Sequence, residues 1–151
     1  MESNVHVGKY VIRFGIVNLL LLVAIAVVLT LLGVDGNSGT SVAALIGAAL
    51  AAGNRFLKDH KRLPNPSEKR RLTWLSLLAA AVVSLCLLAA FLLWSGATRE
   101  LLSMHPPGTY TAGVVLGLLA FLAALHFLAL SFSYGFLLKR QYEGMIKKGV
   151  L

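Results

Sequence analysis

The stretch from Arg55 to Arg71, RFLKDHKRLPNPSEKRR, decides the fold of this chain. It contains seven of the fourteen Lys and Arg residues, and long apolar runs precede and follow it. Basic connections beside membrane-spanning helices stay on the cytoplasmic side of the membrane. The stretch therefore predicts a cytoplasmic loop in the middle of a membrane protein, with two spans on each side of it.

The other basic residues alternate along the sequence in the same way. Lys9 and Arg13 lie at the start of the first apolar run, and four basic residues follow the last run, between residues 139 and 148. The connection at 34–40 has no Lys or Arg, and the connection at 96–109 has a single Arg. The alternation predicts an all-α integral membrane four-helix bundle with both termini in the cytoplasm.

The composition excludes an ordinary soluble domain. Hydrophobic residues make up 58% of the 151 residues and charged residues only 13%, against about 25% charged residues in a typical soluble domain. The length predicts one membrane domain over residues 1–151. The net charge of +8 comes from the predicted cytoplasmic loops. Because aromatic residues do not alternate with the basic ones, we expect no nucleic-acid partner.

Four spans are predicted from the apolar runs and the breaker residues between them. They cover about 10–33, 38–57, 72–95 and 110–138, and the basic loop covers 58–71. The first apolar run is longer than the core of a signal peptide, so we interpret it as a retained helix. The second is short enough for a re-entrant segment. It must nevertheless cross, because otherwise the basic loop would lie on the wrong side.

Two groups of residues mark where the spans begin and where they meet the membrane surface. Asn65, Pro66 and Glu68 form an N-cap, a first-turn proline and a capping glutamate, which predicts a helix start near Pro66. Two tryptophans lie about 30 Å apart along the third helix, which matches the hydrocarbon thickness. The predicted interface anchors are aromatic: Trp74, Trp94, Tyr110 and Tyr134.

Small residues at a spacing of four mark the predicted helix-packing faces. They are Ala43, Gly47 and Ala51 in the second span and Gly113 and Gly117 in the fourth. Such stripes let backbones approach, either at a dimer interface or within one chain. We favour packing within the chain, because the pattern is common in any membrane bundle.

Polar side chains within the spans are the first candidates for a functional role. Asn18 can bond across to the second or fourth span, and His126 lies near the centre of the fourth, with Ser133 two turns further along. His126 fits a proton relay or a bond to a neighbouring helix, and we favour the bond. No Asp or Glu lies inside the four spans, which argues against a proton-driven exporter.

The basic loop is predicted to attract anionic lipids of the inner leaflet. The candidate residues are Arg62, Lys69, Arg70 and Arg71. A narrower hypothesis places a phosphate site at Arg70 and Arg71, beside the positive end of the third helix. We favour general attraction to the lipid surface.

Signals for an enzyme are missing from the sequence. It has no motif of a metalloprotease, hydrolase or nucleotide-binding protein. Asp59 and His60 are adjacent, and neighbours on a helix do not face each other. With a single cysteine, Cys86, no thiol cluster for a metal exists. We therefore expect a non-enzymatic protein without catalytic residues, metal or cofactor.

Residues 49–68 resemble an uncharacterised family of bacterial four-span membrane proteins of about 150 residues. The likeness rests on the small-residue helix ending at Gly53, then Arg55-Phe56, Arg62-x-Pro64 and Glu68. The rest of the chain is similar only in hydropathy and length. The resemblance implies a multi-pass protein of the bacterial inner membrane and supplies no reaction.

Two functions from different classes fit these features. The first is a non-enzymatic accessory protein that binds another membrane protein or a second copy of itself. Toxin-immunity proteins of similar size are an analogy for this role. The alternative is a small transporter or channel subunit in which Asn18 and His126 line a path.

Overall fold

A computed structural model describes residues 6–34, 38–95 and 109–150, and helices make up nearly all of these residues. Over these ranges the secondary structure is helical, without strands. The helices are α1 (Gly8–Leu32), α2 (Ser38–His60), α3 (Pro66–Ser95), α4 (Thr109–Phe132), a π-helical turn (Ser133–Leu137) and α5 (Leu138–Lys147). Four segments are long and apolar enough to cross a membrane, which indicates a multi-pass membrane protein.

The start of α3 agrees with the sequence prediction, since the helix begins at Pro66. The fourth membrane span is predicted to end near Leu138, and the helical backbone continues beyond that residue through the π-helical turn and α5 to Lys147. The added segment is amphipathic and basic, so it extends the helix with a polar face after the apolar run ends.

Helices α1 and α2 form an antiparallel hairpin. At one end the Lys9 ammonium lies 2.9 Å from an Asp59 oxygen. Further along, the Leu21 side chain lies against Gly47. Helix α2 is the central helix, because 44% of its most apolar stretch of 18 residues is buried, compared with 6% of the corresponding stretch of α1.

Buried side chains are concentrated in the half of the bundle next to residues 55–71, which we name the basic end. The opposite end is named the open end. Helix α2 contributes both small and large side chains to this core: Ala48, Ala49, Ala52, Leu45, Phe56 and Leu57. The largest buried members are Tyr10, Phe14, Leu45, Phe56, Leu57, Leu72, Leu130 and Leu138. Beyond Asn18 in α1 and Ala80 in α3, no described residue of those helices is buried.

The π-helical turn lies at the core of the basic end. Its wider turn places Ser133 and Tyr134 in buried positions. The Tyr134 hydroxyl lies 2.8 Å from the Ser76 hydroxyl of α3. Turns of this kind within α-helices often occur where a function needs a local change of side-chain direction.

Candidate functional site

Just beyond the core, the four long helices line a partly open cavity of about 260 Å³. Each helix contributes one polar residue to its wall. These residues are Asn18, Ser41, Ser84 and His126. The remaining wall is formed by Leu and Ala side chains. The cavity therefore combines an apolar wall with four polar groups from four helices.

Asn18 has the least satisfied polar side chain at this cavity. Only 2% of the residue is exposed. Its Oδ1 is buried and has no hydrogen-bond partner among the described residues, which therefore show no bond from it to α2 or α4. A buried acceptor without a donor costs about 1–3 kcal/mol. Asn18 is therefore a position where an added hydrogen-bond donor would stabilise the protein.

The His126 ring has a defined proton position. Its Nδ1 lies 2.7 Å from the carbonyl oxygen of Leu122, one turn earlier in α4. Because a carbonyl oxygen only accepts, Nδ1 carries the proton and donates it. In the neutral ring Nε2 is then an acceptor. The bond that we favoured for His126 was to a neighbouring helix, whereas this one is within α4, because helical side chains lean toward the preceding turn.

The structure brings only part of the predicted polar set together. Asn18 and His126 share the cavity, but Ser133 does not line it. The Ser133 hydroxyl donates to the carbonyl oxygen of Ala129 at 2.7 Å within its own helix. Ser41 and Ser84 were not predicted as partners of Asn18. Each is one serine in one helix, and spacing along a single helix gives no sign of convergence between four.

A second polar cluster lies at the basic end. The Tyr10 hydroxyl donates to an Asp59 carboxylate oxygen at 3.0 Å and lies 3.0 Å from His60 Nε2. A hydroxyl has one proton to donate, so His60 Nε2 must carry a proton and donate it to the Tyr10 oxygen. Asp59 also pairs with Lys9 and Arg55. Asp59 and His60, which were expected not to face each other, are thus connected through a residue of another helix.

Arg62 and Glu68 fasten the connection between α2 and α3. Two guanidinium nitrogens of Arg62 each donate to a Glu68 carboxylate oxygen at 2.8 Å. The backbone N–H of Asn65 also donates to Glu68 at 2.8 Å, which is the capping-box bond that the sequence predicts. Glu68 precedes the apolar part of α3, which begins at Leu72. The hydrogen bonds from Arg62 hold the pKa of Glu68 below its ordinary value.

Neighbouring contacts account for other residues of the stretch from Gly53 to Glu68. The Arg62 guanidinium lies over the Phe56 ring, 5.6 Å from its centroid. A Cβ at Gly53 would lie 2.6 Å from a Leu138 methyl carbon, so only glycine allows this helix contact. The motif therefore forms a packed turn between α2 and α3 rather than a set of reactive groups.

The predicted lipid-binding residues are placed in different surroundings. Arg62 is held by Glu68. The Lys69 ammonium lies over Gly135 of the π-helical turn, and Lys69 and Arg70 line a groove of about 220 Å³ between α3 and α4. Arg71 is exposed and does not line this groove. The arrangement leaves Lys69, Arg70 and Arg71 as candidates for anionic lipid.

The predicted interface anchors also differ from one another. Trp94 is 92% exposed at the open end, and Trp74 is half exposed beside the Phe127 ring at 5.1 Å between centroids. Tyr134 is not at the surface, because the π-helical turn directs it to Ser76 in the core. The backbone of Tyr110 belongs to α4, and its side chain lies outside the described part of the structure.

The small residues of the predicted helix-packing faces have different surroundings in α2 and in α4. In α2, Gly47 lies against Leu21, whereas Ala43 is exposed and Ala51 half-buried. In α4, no described residue of another helix lies within 4 Å of the position that a Cβ would take at Gly113 or Gly117. The described part of the structure thus shows no helix packed on these two glycines, and packing of this face within the chain stays a prediction.

Comparison with protein-family models, with curated proteins and with solved structures found no significant match. The described residues contain no group of three His, Cys, Asp or Glu side chains placed to hold a metal ion. The cavity and the open face of α4 are therefore the two features from which a function is inferred.

Proposed function

We propose that the chain is a non-enzymatic accessory protein of the bacterial inner membrane that binds another membrane helix through α4. The partner is a second membrane protein or a second copy of this chain. Protection against a membrane-inserting toxin is one form that such a role takes. The basic end would face the cytoplasm, with both termini on that side, and Lys69, Arg70 and Arg71 would contact anionic lipid of the inner leaflet.

The open glycine face of α4 carries this proposal. Gly113 and Gly117 are exposed, and no neighbouring helix among the described residues lies within 4 Å of a Cβ placed at either position. Helix periodicity places them nearly opposite Leu122 and His126, which face the cavity, so the glycines point away from the bundle. Lipid tails gain little from a glycine surface, but a second helix can approach it closely. An outward glycine face is thus better suited to a helix than to lipid.

The proposal is tested by site-specific photo-crosslinking in living cells. A benzophenone amino acid at Ala120 samples the glycine face, and one at Leu118 samples another exposed face of α4. We expect a defined protein adduct from Ala120 and a much weaker one from Leu118. Gly117→Ile should reduce the Ala120 adduct at least fivefold, because the branched side chain blocks close approach. Gly15→Ile, at an open glycine of α1, is the matched control and should leave the adduct unchanged.

An Ala120 yield no higher than the Leu118 yield contradicts the proposal. An adduct that survives Gly117→Ile contradicts the role of the glycine face in particular. The mass of the adduct distinguishes the two partners, because a second copy adds 16.1 kDa.

A small transporter or channel subunit is the second candidate, and the cavity favours it. Asn18 and His126 line the same space near the middle of the bundle. The test is flux of protons and small cations from proteoliposomes containing the purified protein. We expect His126→Ala to change the flux and Ser133→Ala, which lies away from the cavity, to leave it unaltered. Flux equal to that of protein-free liposomes removes this candidate.

A further inference from the structure

We propose that the cavity between the four helices binds a small, neutral, apolar molecule that carries a hydroxyl group. The site is formed by Asn18, Ser84 and His126 among leucine and alanine side chains. This binding is independent of the helix partner of α4, because the cavity-facing and glycine-bearing sides of α4 are nearly opposite.

The hydrogen-bonding groups at the cavity define the polar part of the ligand. Asn18 Oδ1 lacks a donor, and His126 Nε2 is an acceptor because Nδ1 donates to Leu122. A hydroxyl donates one proton to such an acceptor and accepts a bond from Ser84 or from the Asn18 amide. Rotation of that amide exchanges its oxygen and nitrogen, so a hydroxyl, which both donates and accepts, fits either orientation.

The charge and size of the cavity define the rest of the ligand. No Lys, Arg, Asp or Glu is among the described residues that line it, so a charged ligand would lack a counter-charge. Most of the wall is apolar, as in typical small-molecule sites. An apolar cavity of about 150 Å³ is enough for benzene in another protein. The volume of about 260 Å³ therefore admits a substituted ring.

The test compares p-cresol with p-xylene, which replaces the hydroxyl by a methyl group of similar size. Each compound is titrated into the full chain in lipid nanodiscs with ¹⁵N-labelled histidine, and the His126 ring resonances are followed. Empty nanodiscs correct for partition into lipid. We expect saturable shifts with p-cresol and at least tenfold weaker binding of p-xylene, because the unpaired acceptor discriminates against a ligand without a donor.

Variants identify the site and separate binding from folding. Asn18→Leu should reduce the preference for p-cresol to less than threefold while the protein stays folded, since it removes the buried amide. Ala81→Phe should abolish binding of both compounds by filling the cavity. Ser133→Ala, away from the cavity, should bind as the unchanged protein does. Circular dichroism and gel filtration show whether each variant is folded. A variant that does not fold is replaced by His126→Phe, for which ¹⁵N-labelled serine provides the resonances because the histidine at 126 is gone.

Equal affinity for the two compounds, or no saturable shift with p-cresol, overturns the proposal. A preference for p-cresol that persists in both Asn18→Leu and His126→Phe also overturns it. The crosslinking result at Ala120 does not bear on these outcomes, because that experiment probes the opposite side of α4.

Discussion

Glu68 accepts two hydrogen bonds from Arg62 and one from the N–H of Asn65. Loss of its charge would remove the ion pair with Arg62 and leave one amide oxygen to accept where two carboxylate oxygens now accept. We expect Glu68→Gln to lower the stability of the detergent-solubilised protein by about 1–2 kcal/mol, since Arg62 is partly exposed and solvent weakens the pair. The measurement is thermal unfolding followed by circular dichroism. Glu143→Gln, at an exposed position of α5, is the control and should change little.

The carboxylate of Glu68 should also make the stability of the protein depend on pH. Hydrogen bonds from Arg62 lower the pKa of Glu68 in the folded state relative to the ordinary value of 4.5. A lowered pKa means that the contribution of Glu68 is complete above pH 4.5 and decreases as pH falls through the folded-state pKa. The difference in stability between the unchanged protein and Glu68→Gln should therefore be largest at neutral pH and shrink in acid. A difference that stays constant down to pH 2 contradicts this assignment.

Tyr134 shows how one residue can be misread from sequence. A tyrosine near the end of an apolar run, followed by Lys139 and Arg140, is typical of an interface anchor. The π-helical turn changes its direction, and the hydroxyl reaches Ser76 of α3 instead. No local sequence signal specifies such a turn, because it depends on contacts with another helix.

The Tyr134–Ser76 bond is testable by a double-mutant cycle. We expect Tyr134→Phe to destabilise the protein by about 1 kcal/mol, because it removes a buried hydrogen bond while keeping the ring. Ser76→Ala should cost a similar amount, and the two changes together should cost less than their sum. Tyr142→Phe is the control, since the Tyr142 hydroxyl makes only a 3.4 Å exposed contact. Simple additivity in the cycle would show that the hydroxyls do not interact.

For helix α2, the sequence predicts the kind of helix, whereas packing decides which of its faces is buried. The sequence indicates a small-residue helix at the crowded centre of the bundle, and α2 is the most buried of the four. Which of its faces is covered depends on the neighbouring helices. Ala44, Ala48 and Ala52 are buried, while Ala43 on the adjacent predicted face is exposed. Both faces carry small residues at the same spacing, so the sequence alone does not distinguish them.

The contact between α2 and α5 gives opposite predictions for two glycines. At Gly53 a Cβ would lie 2.6 Å from a methyl carbon of Leu138, which is itself fully buried and cannot move aside. We expect Gly53→Ala to destabilise the protein by about 1–3 kcal/mol through overpacking. Gly15→Ala in α1 meets no atom within 4 Å and should stabilise it by up to about 1 kcal/mol, because alanine favours the helix. Thermal unfolding of both variants in the same detergent compares their stabilities. Equal changes in stability would contradict the close contact between Gly53 and Leu138.

For the molecule as a whole, the sequence predicts the number of long helices and the helix start at Pro66, because hydrophobic length and capping residues are local signals. The uneven packing is not predictable in this way. The core lies at the basic end, and the cavity lies next to it, with Asn18 and Ala80 in its wall. Both follow from the relative tilt of four helices, which is set by contacts between residues far apart in sequence.

The orientation of the bundle in the membrane is the last prediction. Seven basic residues in 55–71 should hold the basic end in the cytoplasm, while the connection after α1 should lie outside. In a Cys86→Ala background, single cysteines at Val34 and Ser67 report on the two ends, since both positions are exposed. A membrane-impermeant maleimide should label Val34→Cys in intact spheroplasts and Ser67→Cys only after permeabilisation. Labelling of Ser67→Cys in intact spheroplasts would reverse the proposed orientation, and with it the side on which Lys69 and Arg70 meet anionic lipid.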